Sequence, residues 1–320
     1  MNPIILIGNG ARDSIDKVLK FAEKNSIPLM TTWNAVDLVP YDNPLFLGRP
    51  GIVATRGANM AIQSCDYLLA LGARVDESIV AYNWDNFAPL AYKRLVDVDV
   101  ASSLISRFDH FENKSISDFD FPVMSSTPEW LAQCQEWKQD RMEGDTTTYV
   151  FLELLNTLPE DEVIVAGSSC MAVSIVCAGF RSKKGQRFIL SSCGLGSMGA
   201  TLPVAIGAAL ATGKHVTLFD GEGSFMQNIQ ELEVVKRLNL PITFHIIENG
   251  GYASIHNSEM RAFDRSAMND TIPDVKRVAD AFGVEINIIH APYNETQKPR
   301  VMKGGSLENM WPYETLQPTE

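Results

Sequence analysis

Three short segments carry residues that could do chemistry. Ala166-Gly167-Ser168-Ser169, Asp220-Gly221-Glu222-Gly223-Ser224 and Glu248-Asn249-Gly250-Gly251-Tyr252 each follow an apolar, strand-like run, and each is rich in glycine, hydroxyl or carboxyl groups. Glycine leaves out the side chain that would keep an anion away from backbone N–H groups, and a helix after Gly223 would aim its N-terminal dipole at the same point. A phosphate fits there. The second and third segments add hard oxygen donors: the Glu222 carboxylate, the Asn249 amide oxygen and a backbone carbonyl at Gly251, at offsets of 27 and 29 residues. Magnesium takes such donors and keeps phosphate oxygens and water beside them, so metal and diphosphate would be held as one unit. A single Gly-rich turn is ordinarily just a tight strand-to-helix connection. Three of them in one chain point to a ligand.

The elements that position these segments are read from periodicity. Strand-like runs at Ile4–Ile7, Pro28–Met30, Tyr67–Leu71 and Arg94–Val98 alternate with helical patterns at Ser14–Lys24 and Asn59–Cys65. That rhythm predicts a parallel sheet with crossover helices. The rhythm stops between Ser102 and Asp145, where an acidic, apolar-poor stretch at Asp109–Ser126 precedes a Trp-bearing helix at Pro128–Arg141. It resumes with a helix at Thr147–Leu158, strands at Val163–Val165 and Phe188–Leu190, a helix at Met198–Ala211, a strand at His215–Phe219, a helix at Asn228–Leu238, and strands at Ile242–Ile247 and Glu285–Ile289. The expected fold class is α/β, with two consecutive parallel-sheet, three-layer domains. Their expected bounds are residues 1–125 and 147–320, joined by a linker helix over 126–146, and a Pro-rich tail from Glu295 packs on a surface. In such sheets ligands collect beyond the carboxyl ends of the strands, where the three segments lie.

Composition excludes several classes. Of 320 residues 45% are hydrophobic and 21% charged, which is globular rather than disordered or coiled-coil. A formal charge of −12 with no basic run argues against a nucleic-acid partner. The longest apolar stretch, Met198 to Ala211, is interrupted by Pro203 and glycines and falls short of the roughly 20 residues a bilayer span needs. The opening Met1-Asn2-Pro3-Ile4 has no basic region ahead of an apolar core, so no secretory signal is expected and the cytoplasm is the expected compartment. Cys65, Cys134, Cys170, Cys177 and Cys193 show no CxxC spacing and read as free thiols rather than zinc ligands.

Gly221-Glu222-Gly223-Ser224-Phe225, Asn228-Ile229-Gln230-Glu231-Leu232, Asn239-Leu240-Pro241 and Asn249-Gly250-Gly251-Tyr252 together resemble the thiamine-diphosphate motif of acetolactate-synthase-like enzymes. A second block, Gly194-Leu195-Gly196-Ser197-Met198-Gly199, is similar to the family's segment under the thiazolium ring. The resemblance implies that Met198 supports the bent cofactor and that the Gly196 carbonyl accepts from the aminopyrimidine. Without it, Met198 would read as a core methionine. It also implies cofactor contacts from Ser168, Ser169, Gly221, Gly223, Ser224, Tyr252 and Ala253, and a magnesium site at Glu222, Asn249 and Gly251. Ile4 to Arg12, Thr31-Thr32-Trp33-Asn34, Gly48-Arg49-Pro50-Gly51, Arg56-Gly57-Ala58-Asn59, Gly72-Ala73-Arg74-Val75 and Val96-Asp97-Val98-Asp99 are similar to the family's central domain, which binds FAD in some members. Arg56, Asn59, Gly72 and Arg74 would face that nucleotide, or else serve as turn and salt-bridge residues of an empty domain.

Two departures matter. Glu222 stands where the family has aspartate, and Glu248 where it has the first asparagine of a pair; the extra carboxylate would repel a diphosphate unless paired or turned away. The family's pyrimidine-binding domain, which carries the catalytic glutamate, has no counterpart here, so that glutamate is not assigned in this chain and a separate chain is expected to supply it in a hetero-oligomer. The resemblance then implies decarboxylation of a 2-oxo acid such as pyruvate and transfer of the acyl unit to a carbonyl acceptor. Ile255 stands where aldehyde-releasing relatives often have an acid, which favours carboligation; His256 is a candidate proton shuttle or a solvent-facing residue. The alternatives are a non-catalytic nucleotide-binding or regulatory paralogue and a split 2-oxo acid decarboxylase.

Overall fold

The computed structural model describes residues 1–99, 105–139, 147–167, 179–191, 195–268, 271–293, 300–301 and 303–311. The chain forms two compact units. Unit 1 comprises residues 1–143, 177–182 and 298–320, and unit 2 comprises 144–176 and 183–297.

Unit 1 is built on strands β1 (Pro3–Ile7), β2 (Leu29–Thr31), β3 (Phe46–Gly48), β4 (Tyr67–Leu71), β5 (Tyr92–Asp97) and β6 (His110–Asn113). All pair in parallel, in the order β3-β2-β1-β4-β5-β6. Alternation along β1 sends Ile4 and Leu6 into one core cluster and Ile5 and Ile7 into another, so both faces of the sheet are buried. Helices Arg56–Ser64 and Pro128–Gln139 cover the first face, through Ala58, Ala61, Ile62, Trp130 and Cys134. Helix Ile15–Asn25 covers the second through Val18 and Ala22. That is the expected three-layer sandwich.

Its bounds differ from those expected. Helix Pro128–Gln139 is part of unit 1 rather than a linker: the Trp130 indole donates to the Pro3 carbonyl at 3.0 Å, and a Cβ on Gly57 would lie 2.2 Å from the Trp137 carbonyl oxygen, so this crossing requires glycine. The chain returns to unit 1 twice more. Arg49, fully buried, donates to the Phe180 carbonyl at 2.9 Å. Further on, β12 (Arg300–Val301) and β13 (Met310–Trp311) form an antiparallel pair, and Val301, Leu307 and Met310 are buried in the first core cluster. The tail thus completes the first unit's core.

Unit 2 holds β7 (Val163–Ala166), β8 (Arg187–Leu190), β9 (Val216–Gly221), β10 (Ile242–Glu248) and β11 (Asn287–His290), parallel throughout, in the order β11-β10-β9-β7-β8. The order reverses between β7 and β9, so the crevice at their carboxyl ends is the topological switch point of this sheet. Helices Thr147–Thr157, Thr201–Thr212, Leu232–Leu238, Ala253–Phe263 and Val275–Phe282 accompany it. The expected helix from Met198 begins three residues later, because Gly199 adopts φ +82° and holds Met198 in the preceding loop. Among the described residues no helix is long and apolar enough to cross a membrane.

Candidate functional site

The switch point of unit 2 is organised around a carboxyl group. Asp220, fully buried, accepts from the Gly221 N–H at 2.9 Å and from the Ser224 hydroxyl at 2.8 Å, and Thr201 also bonds to it. Burial pushes its carboxyl up to about 6, against the opposing pull of those three donors. The Ser224 oxygen in turn accepts the Gly199 N–H at 3.1 Å, and the Asn228 amide donates to the Gly199 carbonyl at 2.8 Å. The Gly196–Gly199 loop is thereby tied to the helical turn Glu222–Phe225. A Cβ on Gly167 would lie 2.0 Å from Asp220 Oδ1, so the segment after β7 approaches this hub only as glycine.

One step outward, the Glu222 carboxylate crosses to the loop after β10. Its Oε2 accepts the Asn249 N–H at 2.7 Å, and the N–H groups of Gly250 and Gly251 also serve it. Burial raises its carboxyl, the three N–H groups pull the other way, and the charge of Glu248 adds to the rise. Gly250, at φ +88°, allows the turn that presents these donors. Asn249 Oδ1 accepts from the Gly251 N–H at 3.3 Å. Tyr252 closes the arrangement: a Cβ on Gly223 would lie 2.5 Å from its ring, so the ring rests directly on the Gly221–Ser224 turn.

The three residues expected at the metal site therefore meet, Glu222 accepting the N–H groups of Asn249 and Gly251. An ionised carboxylate offers about four lone-pair directions, and three N–H groups leave room for a cation on Glu222. Among the described residues no cluster of three or more His, Cys, Asp and Glu is found. A single carboxylate with amide and carbonyl oxygens suits magnesium completed by phosphate and water rather than zinc. These donor types fit that group, and the Glu222 carboxylate reaches into the opposite loop.

The other expected residues separate into three sets. Met198 is 38% exposed with its sulfur 3.7 Å from the Gln227 amide, so it is not a core methionine, and Gly196, at φ +67°, has open space where a side chain would be. Ala253 is buried at the start of helix Ala253–Phe263, and the His256 ring meets Tyr293 edge-on at 5.2 Å. Ser168 and Ser169 lie outside the described residues. In unit 1 two of the candidates turn inward: Asn59 is fully buried, exchanges hydrogen bonds with both backbone groups of Gly51 and donates to the Leu307 carbonyl. Gly72 is pressed against Gly10, whose N–H it accepts at 3.0 Å. Arg74 is exposed. Asn59 and Gly72 are thus engaged within unit 1 itself. Asp220 is a local anchor of this turn, and its partner Ser224 four residues on is the sequence signal for that role.

Comparison with known proteins bears on the same segments. Residues 1–118 match the family described as "Thiamine pyrophosphate enzyme, central domain", and residues 166–303 match "Thiamine pyrophosphate enzyme, C-terminal TPP binding domain". The chain is 30% identical over 301 residues to the acetolactate synthase isozyme 2 large subunit of Escherichia coli (strain K12), covering 88% of this chain and 54% of that protein. It is 29% identical over 321 residues to the acetolactate synthase large subunit of Pyropia yezoensis, covering 91% and 53%, and 30% identical over 272 residues to acetolactate synthase 1, chloroplastic, of Zea mays, covering 77% and 41%. The chain spans about half the length of the curated relatives it matches.

Proposed function

The chain belongs to the thiamine pyrophosphate enzymes, whose central and C-terminal TPP binding domains it carries, and from that premise we propose that it is the diphosphate- and magnesium-holding part of an acetolactate-synthase-like carboligase. The observation that carries this reading is the convergence of Glu222, Asn249 and Gly251 beside the turn that Asp220 and Ser224 hold. Glu222, Asn249 and the Gly251 carbonyl would hold magnesium. The N–H groups of the Gly221–Ser224 turn and the small residues after β7, Ser168 and Ser169, would hold the diphosphate, with Gly196 and Met198 under the rings and Tyr252 and Ala253 beside them. When bound, thiamine diphosphate supplies a nucleophilic carbon for the 2-oxo acid carbonyl and an electron sink for loss of carbon dioxide. This chain's share is to bind and orient: Asp220 fixes the Ser224 hydroxyl, Ser224 fixes Gly199, and the fixed Gly199 aims the Gly196–Met198 loop.

Ile255, 38% exposed on helix Ala253–Phe263, offers no proton where one would release an aldehyde, which supports transfer to a carbonyl acceptor. His256, packed on Tyr293, is assigned the weaker role of a proton shuttle. The glutamate that acts on the pyrimidine ring is assigned to a partner chain, giving a hetero-oligomer. Native mass spectrometry of the protein from its own cells, with magnesium and thiamine diphosphate present, tests the reading. The expected result is a complex with a second chain and bound thiamine diphosphate; a homo-oligomer that retains no thiamine diphosphate would sink it. The second reading, a non-catalytic paralogue, is favoured by one observation, that the Glu222 carboxylate is already met by three N–H groups of its own protein. Glu222→Asp separates the two: activity falls if the site is tuned to glutamate, and appears only in the variant if the site is eroded.

A further inference from the structure

Glu248 is an extra carboxylate beside a site proposed to hold a diphosphate. It ends β10 directly before Asn249, and its charge reaches Glu222. Left alone, it would oppose binding of an anion. The neighbouring strand answers it. In the parallel pairing of β10 with β11, Glu248 lies in register with His290, and the ring Nδ1 of His290 is 3.0 Å from Glu248 Oε2. The Ala291 N–H donates to the Glu248 carbonyl at 2.9 Å, which holds the two strand ends together. His290 is 80% exposed and Glu248 33%, so the contact sits at the solvent edge and contributes little to folding. It is a costly place to order a histidine for stability alone.

We propose that His290 is a positioning residue for the cofactor site: by bonding to Glu248 it keeps that carboxylate turned aside, so that Glu222, Asn249 and the Gly251 carbonyl can accept magnesium and a diphosphate. This rests on the functional reading above and deepens it. Other ionisable groups near the end of β10 and β11 are Glu222, which is turned into the Asn249–Gly251 loop, and His256, which faces Tyr293. Among the described residues, the ion-pair partner of the Glu248 side chain is His290.

The test is a double-mutant cycle on the full chain, read by calorimetric titration with magnesium thiamine diphosphate, with thermal unfolding of each variant alongside. His290→Ala is expected to weaken binding about fivefold with an unchanged unfolding midpoint. Glu248→Asn is expected to bind at least as tightly as the wild type, and adding His290→Ala to it is expected to change nothing further. Wild-type binding with no loss in His290→Ala, or an equal loss in the Glu248→Asn background, would overturn the proposal while leaving the site intact. No binding by the wild type would overturn the site itself and this inference with it.

Discussion

Carboxylates held by several donors act as joints in this chain, and two of them, Asp220 and Glu112, give direct predictions. Gly167 touches the Asp220 carboxylate, and a methyl there would lie 2.0 Å from Oδ1 and 2.5 Å from Thr201 Oγ1, both on nearly fully buried residues. Neither atom has room to retreat, so Gly167→Ala is expected to cost about 1–3 kcal/mol and to weaken cofactor binding through Ser224; urea unfolding matching the wild type would refute it. Glu112 gives a pH prediction. Burial raises its carboxyl, but hydrogen bonds from Lys114 and Arg94 outweigh that effect and hold it below the ordinary glutamate range. A lowered folded-state pKa stabilises above the unfolded value and loses that stabilisation as pH falls through the folded one. The wild type should therefore lose about 1 kcal/mol more stability than Glu112→Gln on acidification from about pH 7 to about pH 3. Parallel pH curves for the two proteins would show the cluster to be idle.

At the scale of elements, legibility follows how much of a segment is buried. β1, β4, β7 and β9 read directly because both faces of each are covered, leaving nearly continuous apolar runs. β6 escaped notice because it is a half-exposed edge, His110-Phe111-Glu112-Asn113, inside an acidic stretch. Helix Ala253–Phe263 was missed for the same reason, since Ala253 is its one buried residue. Helix Val275–Phe282 is too short to show a long period, although its cap was present in the sequence: the Asp274 carboxylate accepts the Arg277 N–H at 3.0 Å. Asp274→Ala should cost about 1 kcal/mol, and an unchanged unfolding midpoint would count against the cap. The site shows the same division. Segments contiguous in sequence, such as Gly221–Ser224, were legible, whereas contacts made by strand register, such as Glu248 with His290, were not.

At the scale of the whole molecule, the two-domain count was legible but the path was not, because hydrophobic pattern reports that a segment is buried and not what buries it. Asn59 shows the consequence. Its amide joins Gly51 to the Leu307 carbonyl, and nearby Gln63 donates to Glu308 at 3.0 Å. A chain ending at residue 297 would lose the burial of Val301, Leu307 and Met310 and take the Leu307 and Glu308 acceptors away from those amides. By hydrogen exchange, β1 and β4 should lose protection in that truncation while β7, β9 and β10 keep theirs; full protection of β1 would contradict the assignment of the tail to unit 1.

The Asn59–Leu307 contact spans 248 residues of chain, and that separation sets an order of events during synthesis. At roughly 5–20 residues per second, the ribosome needs on the order of 10–50 s to travel from one partner to the other. Once residue 182 has emerged, the first unit lacks only the segment that carries the strand pair sealing its core, and β8 to β11 of the second unit are made before that segment arrives. A frameshift near residue 300 would therefore strike unit 1, whose strands are made before those of unit 2, and leave the strands of unit 2 intact.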